Sequence, residues 1–102
     1  MQNGDCYPNA YNLLMQLHDE GNNKALLVHG IFTRKNGNIE NHAWVEIGDL
    51  MIDPSIDPEN PFQFIKKEFY KSGGVSENKV RRYTYMEALE KLISTGNYGP
   101  WH

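Results

Sequence analysis

The sequence predicts an α+β domain, and three observations carry that reading. Apolar residues recur at helical spacing from Cys6 to Leu17. Two tight-turn signals join three strand-like runs between Ala25 and Asp53, and a capping-box pattern at Thr84 opens a later helix. The 102 residues fit one domain spanning 1–102, since no repeat, linker or low-complexity tract divides them.

The first element is a helix of about Tyr7 to Asp19. Cys6, Ala10, Leu13, Leu14 and Leu17 form one stripe, and Pro8 sits in the first turn, where a missing N–H costs nothing. Glu20-Gly21-Asn22-Asn23 ends it. Cys6 therefore lies at or just before a helix N-terminus, on the side that faces the core. The strand runs 25–33 and 39–47 flank Asn36-Gly37, a dipeptide that suits a two-residue hairpin because both turn positions need positive φ. Gly48-Asp49 makes a second tight turn into Leu50 to Asp53, and Pro54 stops that strand. Asn60 then caps a helix opened by Pro61, with Phe62, Ile65 and Phe69 inward and Ser72-Gly73-Gly74 at its end. Lys79 to Tyr83 reads as a short edge strand. The last helix runs to about Ser94 and closes at Gly96. The expected architecture is an N-terminal helix packed on a small antiparallel sheet, with two further helices.

Composition narrows the function. Ten basic and 13 acidic residues leave a formal charge of −3, and Lys66-Lys67 and Arg81-Arg82 are only short pairs, so nucleic acid is not an expected partner. No apolar run approaches the length of a membrane span, and the first residues carry no secretory pattern. The single cysteine excludes an internal disulfide and a Cys-rich zinc site. It suits a reducing, cytoplasmic setting, either as a small buried hydrophobe or as a nucleophile.

Two-residue turns at both hairpins would set His29 opposite Trp44 and Ile31 opposite His42. With period-two alternation, Leu27, His29, Ile31, His42, Trp44, Glu46, Met51 and Asp53 then share one face. His42 and Asp53 become diagonal neighbours with Cβ atoms about 6–8 Å apart, within reach of an imidazole–carboxylate bond. If the first helix covers the apolar part of that face, Cys6 meets His42. A helix N-terminus and an imidazolium both stabilise a thiolate, and a carboxylate behind the imidazole fixes its tautomer. The Cys6 backbone N–H would face a developing oxyanion, and Gln2 or Asn3 from the preceding loop would complete that hole. Trp44 packs nearby, shielding the thiol, and is also a candidate for substrate contact.

Plainer readings stand beside these. Cys6 alone fits a buried hydrophobe, His42 a strand histidine bonded to a carbonyl, and Asp53 a turn initiator before Pro54. His29 is a rival base on the expected face. Glu46 reads as a solvated rim residue. Tyr7 and Tyr11 lie a turn apart beside Cys6 and could line an entrance. A metal held by His29, His42 and Asp53 lacks a short ligand pair such as His-x-x-x-His, so no cofactor is expected.

The segment Asn41-His42-Ala43-Trp44-Val45-Glu46 through Asp53-Pro54 resembles the His-Ala-Trp-Val-Glu…Asp-Pro signature of transglutaminase-like cysteine enzymes. Cys6-Tyr7-Pro8-Asn9-Ala10 resembles the nucleophile segment of the same papain-like superfamily, and the order Cys, His, Asp agrees. The likeness covers about residues 2–55. It implies a compact papain-like or transglutaminase-like core in which Cys6 attacks a carbonyl, His42 moves protons and Asp53 orients His42. It also implies a protein or peptide substrate, cleaved or transferred at an amide or isopeptide bond through a thioester. A chain this short leaves little room for a groove, so a shallow site, or one completed by a partner protein, is expected. The alternative from another class is a catalytically silent protein-binding or inhibitor module on the same scaffold.

Overall fold

A computed structural model of the chain describes residues 5–101. The elements run α1 (Cys6–Asp19), β1 (Leu26–Thr33), β2 (Ile39–Ile47), β3 (Leu50–Asp53), β4 (Phe62–Ile65), α2 (Lys66–Gly73), β5 (Arg81–Tyr83) and α3 (Tyr85–Thr95), with a 3₁₀ turn at Glu77–Lys79. The five strands form one antiparallel sheet in the order β4-β3-β2-β1-β5. This is the expected α+β class. Among the described residues no helix is long and apolar enough to cross a membrane.

Two cores lie on the two faces of the sheet. On one face Leu27, Ala43, Val45 and Ile52 meet Ala10 and Leu14 of α1 and Ala88 of α3. On the other, Val28, Trp44 and Met51 meet Phe69 of α2, with Phe32 and Tyr70 packed alongside.

The β1–β2 register differs from the expected one by one residue. Gly30 pairs with His42 and Val28 with Trp44, because the hairpin loop holds three residues rather than two. Arg34 N–H bonds the Asn38 carbonyl at 2.8 Å and Gly37 N–H bonds the Arg34 carbonyl at 2.9 Å, with Gly37 alone in the left-handed region at φ +88°. Asn36-Gly37 thus builds an ordinary turn followed by a bulge. Period-two strands turn a one-residue slip into an exchange of faces. Val28, Gly30 and Phe32, not Leu27, His29 and Ile31, therefore share a face with His42 and Trp44. The β2–β3 register is as expected, with Val45 opposite Ile52 and Glu46 opposite Met51.

A second correction concerns residues 62–65, expected within a helix. They form edge strand β4, pairing Phe62 with Asp53 and Phe64 with Met51, and the helix starts only at Lys66, whose N–H bonds the Asp49 carbonyl at 2.7 Å. Phe62-Gln63-Phe64 alternates, and pairing to β3 outweighs the Asn60-Pro61 start signal. The last helix has the full reciprocal capping box between Thr84 and Glu87.

Gly30 lets Trp44 lie across β1. A Cβ there would stand 2.7 Å from Trp44 Cη2 and 3.1 Å from Val80 Cγ1. The indole is rigid and wholly buried, so it cannot swing clear. Gly30→Ala is expected to cost about 2 kcal/mol through overpacking. A lower urea midpoint at an unchanged slope would register it, whereas an unshifted midpoint would mean that the indole yields.

Candidate active site

Three elements deliver three side chains to one point. Cys6 is the first residue of α1, His42 lies in β2, and Asp53 is the last residue of β3. His42 and Asp53 share the face opposite the one that α1 covers, so the expected route by which Cys6 meets them does not hold. The meeting occurs where β3 stops. Its register would set residue 55 opposite His42, but the strand ends at Asp53 ahead of Pro54. The N-terminal end of α1 reaches His42 at that open end of the sheet, where Asn9 Nδ2 contacts the Pro54 carbonyl at 3.5 Å.

His42 Nε2 and Asp53 Oδ2 are 2.9 Å apart, and the Cys6 side chain is hydrogen-bonded to the same imidazole. With Nε2 committed to Asp53, Nδ1 is the nitrogen left for the thiol. The other carboxylate oxygen, Asp53 Oδ1, accepts the Ser55 N–H at 2.9 Å, so both oxygens are held and the carboxylate cannot rotate away. Cys6 is 2% exposed, and the His42 and Asp53 side chains are 16% and 14% exposed.

Burial alone would disfavour an imidazolium here. The hydrogen bonds and charges of Asp53 and Cys6 outweigh it and hold His42 up at about 9. Asp53 shows the converse. Burial raises it, but the bond and charge of His42 and the Ser55 contacts bring it below the usual carboxylate range. At neutral pH the site therefore holds an imidazolium between a carboxylate and a thiol. Cys6 stands at the first position of α1, where the positive end of the helix dipole favours negative charge on the sulfur. Gln2 and Asn3, the expected side-chain donors, lie outside the described residues.

The remaining sequence candidates fall elsewhere. Trp44 is wholly buried, with its ring 5.2 Å from Phe69, so it forms the packing behind His42 and presents no surface to a substrate. His29 lies on the opposite face among Tyr7, Tyr83 and Trp101, which removes it both as rival base and as co-ligand of His42. Among the described residues no group of three His, Cys, Asp or Glu side chains is arranged to hold a metal. Glu46, expected at a solvated rim, is 2% exposed. It accepts bonds from Trp44 Nε1 at 3.0 Å, Arg82 Nε at 2.9 Å and the Tyr70 hydroxyl, and so fastens the indole behind the site. Tyr7 and Tyr11 are buried rather than lining an entrance; burial first, then the charge of Cys6, pushes the Tyr7 hydroxyl up to about 12.

Cys6, His42 and Asp53 open onto a cavity of about 690 Å³. Its walls include Phe32 of β1, Phe62 and Phe64 of β4 and Phe69 of α2, with the Arg34–Glu40 pair, 2.7 Å apart, also lining it. The β4 wall was missed in the sequence, where its residues read as a helix. The signal that would have found it is the Phe-x-Phe alternation after Pro61.

Comparison of the chain with protein-family models, curated proteins and solved structures gives no match.

Proposed function

We propose that the protein is a transglutaminase-like cysteine enzyme that cleaves or transfers an amide or isopeptide bond of a protein or peptide through a thioester on Cys6. The observation that carries this reading is His42 held between Cys6 and Asp53 beside an open cavity. The likeness of the His42–Pro54 segment and of the Cys6 segment to that family supports it, as does the order of the three residues in the chain. A chain with a single cysteine fits a cytoplasmic setting.

The steps follow from the geometry. The Cys6 thiolate adds to the substrate carbonyl, and the new oxyanion forms beside the N-terminal end of α1. His42 gives the proton on Nδ1 to the departing amine, the C–N bond breaks and the acyl group remains on sulfur. Water or an acceptor amine then loses a proton to His42, adds to the thioester and expels the Cys6 thiolate. Throughout, Asp53 keeps the ring in plane and favours its charged form.

The test is alkylation of Cys6 by iodoacetamide between pH 6 and 9, followed by intact mass. At pH 7 the wild type is expected to react at least about tenfold faster than His42→Ala, because the ring that hydrogen-bonds the sulfur also assists its attack. Identical profiles would reduce Cys6 to packing and leave a binding or inhibitor module as the reading to pursue.

A further inference from the structure

The acyl chemistry needs only one end of the cavity; the rest is an aromatic enclosure. Phe32 and Phe69 stack with centroids 5.2 Å apart, Phe64 lies 6.0 Å from Phe69, and Phe62 lies 6.4 Å from Phe64. Phe69 is buried, but Phe62, Phe64 and the neighbouring Ile56 are 47%, 45% and 68% exposed. Strand alternation puts Phe62 and Phe64 on the same side of β4, the side shared by Asp53 and Met51 opposite them, so both rings project towards the catalytic face. Covering such rings removes apolar surface from water on both partners. Among the charged groups lining the cavity, Arg34 and Glu40 neutralise each other, while Glu68 adds a carboxylate.

The acyl part of the substrate is the portion that must stay bound through both half-reactions, since it remains on Cys6 while the first amine leaves. We infer that this acyl group carries a large apolar side chain, aromatic or branched aliphatic, that docks among Phe32, Phe62, Phe64 and Phe69, and that an anionic side chain is disfavoured there. The inference rests on the thiol chemistry proposed above and adds its substrate class.

The experiment treats the full chain with N-acetyl-aminoacyl chloromethyl ketones bearing Phe, Leu, Ala, Lys or Asp side chains, and with iodoacetamide as a probe lacking one. Labelling of Cys6 is followed by intact mass and peptide mapping. The Phe and Leu probes are expected to label about ten- to a hundredfold faster than the Ala probe, with Asp slowest. Phe62→Ser, and separately Ile56→Ser, should lower the Phe-over-Ala ratio by about fivefold. Both positions are exposed, so each variant is expected to fold. Equal rates for all five probes, with iodoacetamide labelling still dependent on His42, would overturn the apolar docking and leave the thiol–imidazole pair standing. Labelling indifferent both to probe side chain and to His42 would overturn the two together.

Discussion

Cys6→Ala is expected to abolish formation of the proposed acyl-enzyme, with a loss of about 10⁴-fold or more in acyl transfer, while the fold persists. An activated ester such as p-nitrophenyl acetate makes this measurable without the natural substrate: the wild type should gain one acetyl group that hydroxylamine removes, as expected of a thioester. Cys6 is the chain's sole cysteine, so no other thiol can substitute. It is buried at a helix end, where exchanging a thiol for a hydrogen removes little volume, so the stability cost should stay near about 1 kcal/mol. Asp53→Asn separates orientation from charge. Asparagine can still bond the ring, but it no longer stabilises the imidazolium and can hold the wrong tautomer, so acetylation should slow by about 10²- to 10⁴-fold. A hydroxylamine-labile acetyl group that persists in Cys6→Ala would place the nucleophile elsewhere. An Asp53→Asn rate within twofold of wild type would remove Asp53 from the machinery.

Most of the site was legible because it depends on short-range rules. The stripe through Cys6, Ala10, Leu14 and Leu17 placed the cysteine at a helix start, and the Gly48-Asp49 turn fixed the offset of His42 from Asp53. What failed was the Asn36-Gly37 hairpin. The dipeptide serves a two-residue turn and a turn-plus-bulge equally well, and only the difference of one residue decides which face of β1 joins His42. The resulting error would have put His29 beside the triad and α1 over Trp44. The thiol still meets the imidazole because Pro54 ends β3 and leaves the sheet open beside His42, a three-dimensional consequence that alternation alone does not express. The burial of Glu46 was illegible for a similar reason. Its partners Tyr70 and Arg82 lie 24 and 36 residues away, on elements whose position local periodicity does not determine.

The ion pair at the site should also tilt stability against pH. His42 titrates at about 9 in the folded chain against an ordinary value of 6.5, so the folded state holds its proton more tightly than the unfolded state. That contribution is complete below about pH 6.5, declines as pH rises towards 9 and is gone above it. Its full size is about 3 kcal/mol, from roughly 1.4 kcal/mol for each unit between the two values. Little screening is expected for a side chain this enclosed. Asp53, held low by the same pair, marks the other limit: its share is present above the ordinary aspartate range and is lost as pH falls through its lowered value. These are two views of one interaction, so the energy counts once. In a Cys6→Ala background, where the pair is His42 with Asp53 alone, urea midpoints between pH 5.5 and 9.5 should therefore fall with rising pH. In that background His42→Gln, whose side chain does not titrate, should remove that part of the slope, and Asp53→Asn should reduce it. Parallel Cys6→Ala profiles with and without His42→Gln would mean that His42 is neutral in the folded protein. The thiol would then have no cation beside it, and the thiolate chemistry proposed for Cys6 would lose its physical basis.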